Sequence, residues 1–154
     1  MVADNGSEDD SVDYVSAQFP GIYIGRLDKN YGCDEGYNLD LGEVHSDYYI
    51  LLNSDVETTQ GWCEPLLELA KSDPSIAAIS PKILSYNQKS SFEYSGAAGG
   101  FIDMFGYPFC RGRILSTLET DNGQYDTGRD IFWASGACML VKADLVHSFE
   151  GVDG

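Results

Sequence analysis

Tyr48-Tyr49-Ile50-Leu51-Leu52 is an unbroken apolar run, the pattern of a strand buried on both faces. Ile76-Ala77-Ala78-Ile79 repeats that pattern and is ended by Pro81. Between the two, Gly61-Trp62 precedes a predicted helix over 64–72. Pro65 is tolerated in its first turn, and Asp73-Pro74 stops it. Upstream, Val12, Val15 and Phe19 fall at three- and four-residue spacing. They predict a helix over 11–19 with Ser7 or Asp10 as its cap. Pro20-Gly21 closes that helix, and Ile22-Tyr23-Ile24 reads as a short strand. A loop over 28–32 then leads into a helix over 33–44, weakened by Gly36 and Gly42. Val2-Ala3 has the character of the last step of a buried strand. Two residues are too few to stand as a strand alone, so the expectation is a chain that begins inside a domain.

The first half therefore alternates strand and helix, which predicts βαβ units and an α/β fold with a mainly parallel sheet. The second half differs. Gly96, Gly99, Gly100, Gly106, Gly112 and Gly123 punctuate short aromatic pieces, so hairpins and long loops are expected. Order returns at Ile131-Phe132-Trp133 and at Cys138-Met139-Leu140-Val141, and a short helix is predicted over 143–148. Gly96-Ala97-Ala98-Gly99-Gly100 matches neither a dinucleotide fingerprint nor a P-loop. It reads as a flexible turn.

Composition narrows the function classes. The 154 residues are 43% hydrophobic and 12% aromatic, which suits one packed domain. The net charge of −16 argues against binding nucleic acid through its phosphates. It also argues against electrostatic attraction to anionic lipid, and most carboxylates read as solvated. No apolar run approaches the roughly 20 residues that span a bilayer. The opening residues have neither the basic nor the apolar region of a signal peptide. Cys33, Cys63, Cys110 and Cys138 form no C-x-x-C pair. They read as core or surface residues of a reduced, cytoplasmic protein rather than as zinc ligands.

In an open parallel sheet, ligands collect outside the carboxyl ends of the strands. Two polar clusters fall at such ends: Asp4-Asn5-Gly6-Ser7, and Asn53-Ser54-Asp55 with Glu57 just beyond. A carboxylate at the Asp55 position is able to bind a hard divalent cation and, through it, a diphosphate. The same three residues also suit a plain turn. Asp4 is suited either to a base or ribose contact or to capping the next helix. Asn30-Tyr31-Gly32, with Gly36 and Asn38, offers backbone and amide groups for a nucleotide pocket, or is simply a loop and a weak helix. Arg111 and Arg113 suit a phosphate or carboxylate clamp as well as surface salt bridges. His45 and His147 have no accompanying nucleophile motif and read as surface residues.

Taken together, these segments resemble family 2 glycosyltransferases, in their rhamnosyltransferase-like branch. Asp4-Asn5-Gly6-Ser7-Glu8-Asp9-Asp10-Ser11 resembles the family's D-N-x-S-x-D-x-S segment. The stretch from Asn30 to Asn38 is similar to N-x-G-F-x-x-G-x-N, with Cys33 in place of Phe. Asn53-Ser54-Asp55-Val56 is similar to the metal-binding D-x-D-type motif in its N-x-D form, and Trp133-Ala134-Ser135-Gly136-Ala137-Cys138 to the later S-G-A segment. The resemblance covers nearly the whole chain, and the four motifs occur in the family's order.

The resemblance implies a GT-A fold, Rossmann-like but incomplete, in a single partial domain. About 1–81 would be the nucleotide-binding half and about 82–154 the loop-rich acceptor-side half. It implies inverting, metal-assisted transfer of a sugar from a UDP- or dTDP-linked donor to a glycan or lipid-linked acceptor, in cell-wall or polysaccharide biosynthesis. By motif, Asp4 would contact the base, and Asn30, Gly32 and Asn38 would lie near the nucleotide. Asp55 would hold Mg²⁺ or Mn²⁺, with Asn53 beside it. Trp133 would stack on a sugar, and Ser135 and Gly136 would line the acceptor side. The family's opening strand with P-x-Y-N is not in this sequence, and its general base is expected beyond Gly154, with Asp153 the last acidic residue before that point. The expectation is therefore an inactive piece of an enzyme that, at full length, sits in the cytoplasm or peripherally at the inner membrane. An unpaired sheet edge would favour a homodimer of the piece.

Two other readings compete. One is a non-catalytic module that binds carbohydrate or protein through Tyr94, Phe101, Phe105, Tyr107, Phe109 and Trp133. The other is a dinucleotide-binding oxidoreductase, which needs a glycine fingerprint that Asp4-Asn5-Gly6-Ser7 does not supply.

Overall fold

The computed structural model describes residues 1–149 and 151. The chain divides into two compact units, Met1–Asp47 together with the segment from Ala143, and Tyr48–Lys142.

The first unit opens with β1 (Val2–Asp4), α1 (Ser11–Gln18), β2 (Ile24–Arg26) and α2 (Cys33–Leu41). β1 and β2 pair in parallel, from Val2 opposite Ile24 to Asp4 opposite Arg26. The second strand starts later than the apolar triplet suggests, because Ile22 N–H bonds back to Phe19 O and keeps Ile22 in the bend after α1. α1 buries none of its residues, and its intended apolar face leaves Phe19 52% exposed. Asp10 stands at the N-cap without a side-chain bond; Asp9 Oδ1 instead accepts from Ser11 N at 3.0 Å. α2 ends at Leu41 rather than Val44, where Glu43 N–H and Val44 N–H bond to Asp40 O and Leu41 O. Those three-residue spacings are the tight turn that commonly closes a helix.

The second unit contains β3 (Tyr48–Leu52), α3 (Glu64–Ser72), β4 (Ala78–Ile79), β5 (Gly100–Ile102), β6 (Pro108–Cys110), β7 (Arg113–Ile114), β8 (Thr117–Leu118) and β9 (Cys138–Lys142). α4 (Ala143–Ser148) returns to the first unit. β9 lies between β3 and β4 and is antiparallel to both, with Leu52 opposite Cys138 and Ile79 opposite Leu140. β3 and β4 thus point the same way, as a βαβ unit requires, but they are not neighbours. This corrects the expectation of a mainly parallel sheet: among the described strands only β1 and β2 pair in parallel, and the other pairs are antiparallel. The apolar runs reported burial, not partner direction, and the equally apolar Cys138-Met139-Leu140-Val141 fills the slot between the two parallel strands. Leu66 and Ala70 of α3 close on Leu140 of β9, with Trp62, Ile50 and Ile79 at the margin. Each such buried side chain contributes about 1.5–3 kcal/mol when it is large and fully covered.

β5 to β8 form the expected antiparallel meander. Beneath it, Phe92, Ala97, Ala98 and Cys110 make a second core with Leu84, Tyr125 and Trp133 packed around it. The five residues 96–100 are all buried, so the expectation of a flexible turn there is corrected. Ala97 O accepts from Ile83 N–H, Ala98 N–H bonds to Arg111 O, and Gly100 N–H bonds to Trp133 O. A Cβ on Gly100 would lie within the Trp133 ring. Glycine here permits close packing, which a sequence reading takes for flexibility. Ile131-Phe132-Trp133 forms no strand, and Trp133 makes only an isolated bridge to Gly100. Lys82 Nζ, in the stretch after β4, reaches the loop after β8 through Asp121 Oδ2 and Asp126 Oδ1, both at 2.6 Å. All four cysteines are free. No helix among the described residues is long and apolar enough to cross a membrane.

Candidate functional site

In the first unit the loops that leave β1 and β2 run side by side, as parallel pairing requires. Asn5 ties them together. Its Nδ2 donates to Gly32 O at 2.6 Å and to Asn30 Oδ1 at 3.2 Å, and its Oδ1 accepts from Tyr31 N at 2.9 Å. Asn30 Oδ1 also accepts from Gly32 N at 2.8 Å. Two glycines make room for this clasp. Gly6, at φ +74°, faces the Lys29–Asn30 backbone so closely that a Cβ would collide with it. A Cβ on Gly36 would press on the Asn5 amide at 2.9 Å. The glycine that weakens α2 as a helix is therefore what lets α2 approach the β1 loop.

Between the two loops lies an open cleft of about 640 Å³, lined by Gly6, Ser7, Glu8, Arg26, Leu27, Asp28, Lys29 and Asn30. Its volume lies in the usual range for small-molecule sites. Arg26 and Lys29 bring two cations to it in a chain of net charge −16. Asp4 is not in the lining but beneath it. It is 5% exposed, its Oδ1 accepts from Ser7 N at 3.1 Å, and its Oδ2 stands 3.7 Å from Arg26 Nε without a hydrogen bond. Arg26 is largely exposed, so water screens this pair. Asp40 of α2 is also buried, with Oδ2 unpartnered. Burial, and secondly the negative charge of Asp4, push its carboxyl above the usual carboxylate range.

Of the residues expected to meet the nucleotide, Asn30 lines the cleft, and Gly32 caps α2 within reach of the Asn5 and Asn30 amides. Asn38 sits lower on α2, against the Gly151 backbone. Arg26 and Asp40 are absent from the sequence reading, and Asn5 enters it only as part of the Asp4-Asn5-Gly6-Ser7 cluster. Arg26 had one usable signal, a cation at the carboxyl end of a strand in an acid-rich chain.

The second unit carries the other cluster. Leu52 pairs with Cys138, and one step further Asn53 N–H bonds to Ala137 O at 3.0 Å. The antiparallel setting of β9 thus brings the Asn53-Ser54-Asp55 turn beside the Ser135-Gly136-Ala137 segment, although 82 residues separate Asn53 from Ser135 in the chain. The turn is closed by Val56 N–H on Asn53 O. Asp55 is exposed. Glu57 is engaged by Lys89 at 2.8 Å. Ser135 is buried, with Oγ accepting from Ala137 N at 3.3 Å, and Gly136 is exposed with open space before it. Trp133 is half-buried and donates its indole N–H to Phe101 O at 3.1 Å.

No group of three or more His, Cys, Asp or Glu side chains suited to a metal occurs among the described residues. A single exposed carboxylate fits a Mg²⁺-like ion that takes its remaining oxygens from phosphate and water. Arg111 and Arg113, candidates for an anion clamp, are both engaged within the fold. Arg111 Nε donates to Ala98 O at 2.9 Å and its guanidinium lies over Tyr125, while Arg113 stacks on Tyr94 at 4.3 Å. His45 and His147 are exposed, as expected. Of the stretch Gly151-Val152-Asp153-Gly154, only Gly151 lies within the described residues.

Residues 1–147 match the family model described as glycosyl transferase family 2. Two relatives are named N-acetylglucosaminyl-diphospho-decaprenol L-rhamnosyltransferase, from Mycobacterium tuberculosis strains CDC 1551 / Oshkosh and ATCC 25618 / H37Rv. Each is 26% identical over 168 residues, covering 99% of this chain and 54% of the relative. The chain thus spans about half the length of these curated relatives. No solved structure matches it significantly. With residues 1–147 matched, almost its full length, the chain belongs to glycosyltransferase family 2.

Proposed function

We propose that this chain is the donor-binding part of an inverting glycosyltransferase of GT-A fold, which moves a sugar from a nucleoside diphosphate to a lipid-linked acceptor. The observation that carries the reading is the junction at Asn53 N–H and Ala137 O. It sets an exposed carboxylate, suited to a metal-diphosphate, next to an open glycine edge suited to an incoming hydroxyl group. The cleft with Arg26, Lys29 and Asn30 supports nucleoside recognition, and the buried Asp4 supports a contact to the base. The names of the relatives support a rhamnosyl donor such as a dTDP-sugar, and an acceptor sugar carried on a polyprenyl diphosphate.

In this reading Asp55, with Asn53 nearby, holds Mg²⁺ or Mn²⁺. When bound, the ion neutralises charge that develops on the leaving nucleoside diphosphate. Asn53 and Val56 keep the turn closed so that the Asp55 carboxylate is presented outward. Ser135, held by Ala137 N–H, fixes the backbone that offers Gly136 to the acceptor side.

Calorimetric titration of dTDP and UDP in the presence of Mn²⁺ tests this. The Asp55→Asn variant is expected to weaken metal-dependent binding by about 10- to 100-fold, the usual weight of a charge-assisted contact of roughly 1.5–3 kcal/mol. Nucleotide binding indifferent both to EDTA and to Asp55→Asn would overturn the metal assignment.

A further inference from the structure

Gly136 is exposed, with open space before it, so it has no side chain to anchor its backbone. Its neighbours are anchored instead, and the segment 96–101 anchors them. A Cβ on Gly96 would lie 2.5 Å from Ser135 Cβ and 2.8 Å from Ser135 Oγ, so Ser135 rests on bare glycine backbone. Gly100 N–H donates to Trp133 O at 3.2 Å, and Phe132 N–H donates to Gly100 O at 2.8 Å. The Trp133 indole N–H reaches Phe101 O. From Ser135 the contacts run on to the Asn53-Ser54-Asp55 turn. Ala137 N–H donates to Ser135 Oγ, and Ala137 O accepts from Asn53 N–H.

The support is itself held in a strained form. Gly99 N–H closes a turn on Gly96 O at 3.1 Å, and Ala97 takes its first central position at φ +40°. Glycine normally stands there. Such strain persists only where the surroundings over-determine it, and it gathers at functional sites. Here the surroundings do so from several directions. Ala97 O accepts from Ile83 N–H at 2.8 Å, and Ala98 N–H donates to Arg111 O at 3.0 Å. Arg111 Nε donates to Ala98 O at 2.9 Å, and Glu93 Oε2 accepts from Gly96 N–H at 3.0 Å. The Ala97 methyl is fully buried in the core of Phe92 and Cys110. A turn fixed in this way does not yield to Ser135, so Ser135 takes its position from the turn.

We propose that Gly96 and Ala97 are positioning residues for the acceptor edge. Through Ser135 they set the Gly136 backbone against the Asn53-Ser54-Asp55 turn, so bulk at position 96 displaces the acceptor side and leaves donor binding intact. The inference rests on the reading of Ser135 and Gly136 as that side. It also gives the Gly96-Ala97-Ala98-Gly99-Gly100 stretch a use that neither a phosphate loop nor a flexible turn supplies.

NMR of the isotope-labelled chain tests the inference, with UDP and Mn²⁺ as the probe. Bound Mn²⁺ broadens the amide signals around it, so Ser54 reports the donor site and Gly136 reports the edge. Both signals should broaden in the parent. Gly96→Ala should keep the broadening at Ser54 and lose it at Gly136. Leu66→Val, which trims the separate core around Leu140 in the same unit, should broaden both signals as the parent does. A merely structural role for Gly96 would make the two variants alike. Ala97→Gly suits φ +40° without strain and loosens the same turn, so it tests the support even where Gly96→Ala does not fold. It should raise the amide mobility of Gly136 and leave Ser54 unchanged. Parent-like behaviour of Gly136 in both turn variants, or an equal change in Leu66→Val, would overturn the inference. If neither signal broadens in the parent, the metal reading falls. The support is then judged by the Gly136 chemical shift without metal, which the turn variants should move and Leu66→Val should not.

Discussion

The two units of this chain use their buried positions differently. The unit of Tyr48–Lys142 buries Phe92 and Leu140 almost completely, in two separate cores, and also buries Tyr49, Leu51, Ala97, Ala98 and Cys138. Its buried serines are satisfied, Ser91 by Glu119 O and Ser135 by Ala137 N–H. Its one unpartnered buried side-chain atom among the described residues is Arg113 Nε, on β7. The unit that begins at Met1 buries few large apolar side chains and includes Asp4 and Asp40, each with an unpartnered carboxyl oxygen. An interior of that kind costs stability. It occurs where the clasped loops open a cleft, so the difference separates a region whose buried polar groups are almost all satisfied from one that leaves buried carboxyl oxygens unpartnered.

The sharpest way to break this comparison is at Gly112. Its φ of +91° and its contact with the Phe92 ring leave no room for a Cβ. Gly112→Ala should destabilise the protein by about 2–4 kcal/mol, from backbone strain and overpacking together. Urea unfolding that shows no change would mean the Phe92 core is not tightly packed.

A smaller effect of opposite sign is expected in the other unit. The Asp40 carboxyl is raised above its ordinary 3.8 by burial first and by Asp4 second. The folded state therefore holds the proton more tightly than the unfolded state, and stability falls as pH rises from 3.8 through the raised value. Asp40→Asn removes that loss. It should melt a few degrees above the parent at pH 7, with the gap closing as pH approaches 4. A variant that melts lower at pH 7 would show that Asp40 has a partner worth keeping.

The smallest effect is expected at Asp121. The Lys82 ammonium, hydrogen-bonded to it, holds its carboxyl below the usual 3.8. That contribution is present above 3.8 and is lost as pH falls through the lowered value. Asp121→Asn should lower the melting temperature slightly at pH 7 and not at all at the acid end. A constant difference across that range would mean that the charge is irrelevant.

Much of the frame was legible from local pattern. The runs at 48–52, 64–72 and 143–148 became β3, α3 and α4 with the expected ends, because an apolar run or a bounded amphipathic stretch reports burial directly. α1 is one residue shorter than predicted and α2 three shorter. The motif residues Asn30, Asn53 and Asp55 fall at strand or helix ends, as their surroundings suggested.

What the sequence determined by itself was which segments are buried, where they turn, and the family to which their polar ends belong. Tertiary structure alone decided partners and directions. It placed β9 between β3 and β4, and with that brought Ser135-Gly136-Ala137 beside Asn53. It turned the 96–100 glycines from a supposed flexible turn into core, and gave Asn5 the clasp between two loops. The physical reason is common to all three. Hydrophobic periodicity records whether a residue meets water, while pairing direction, close backbone approach and hydrogen bonds across 25 or more residues depend on which distant segment fills the space opposite.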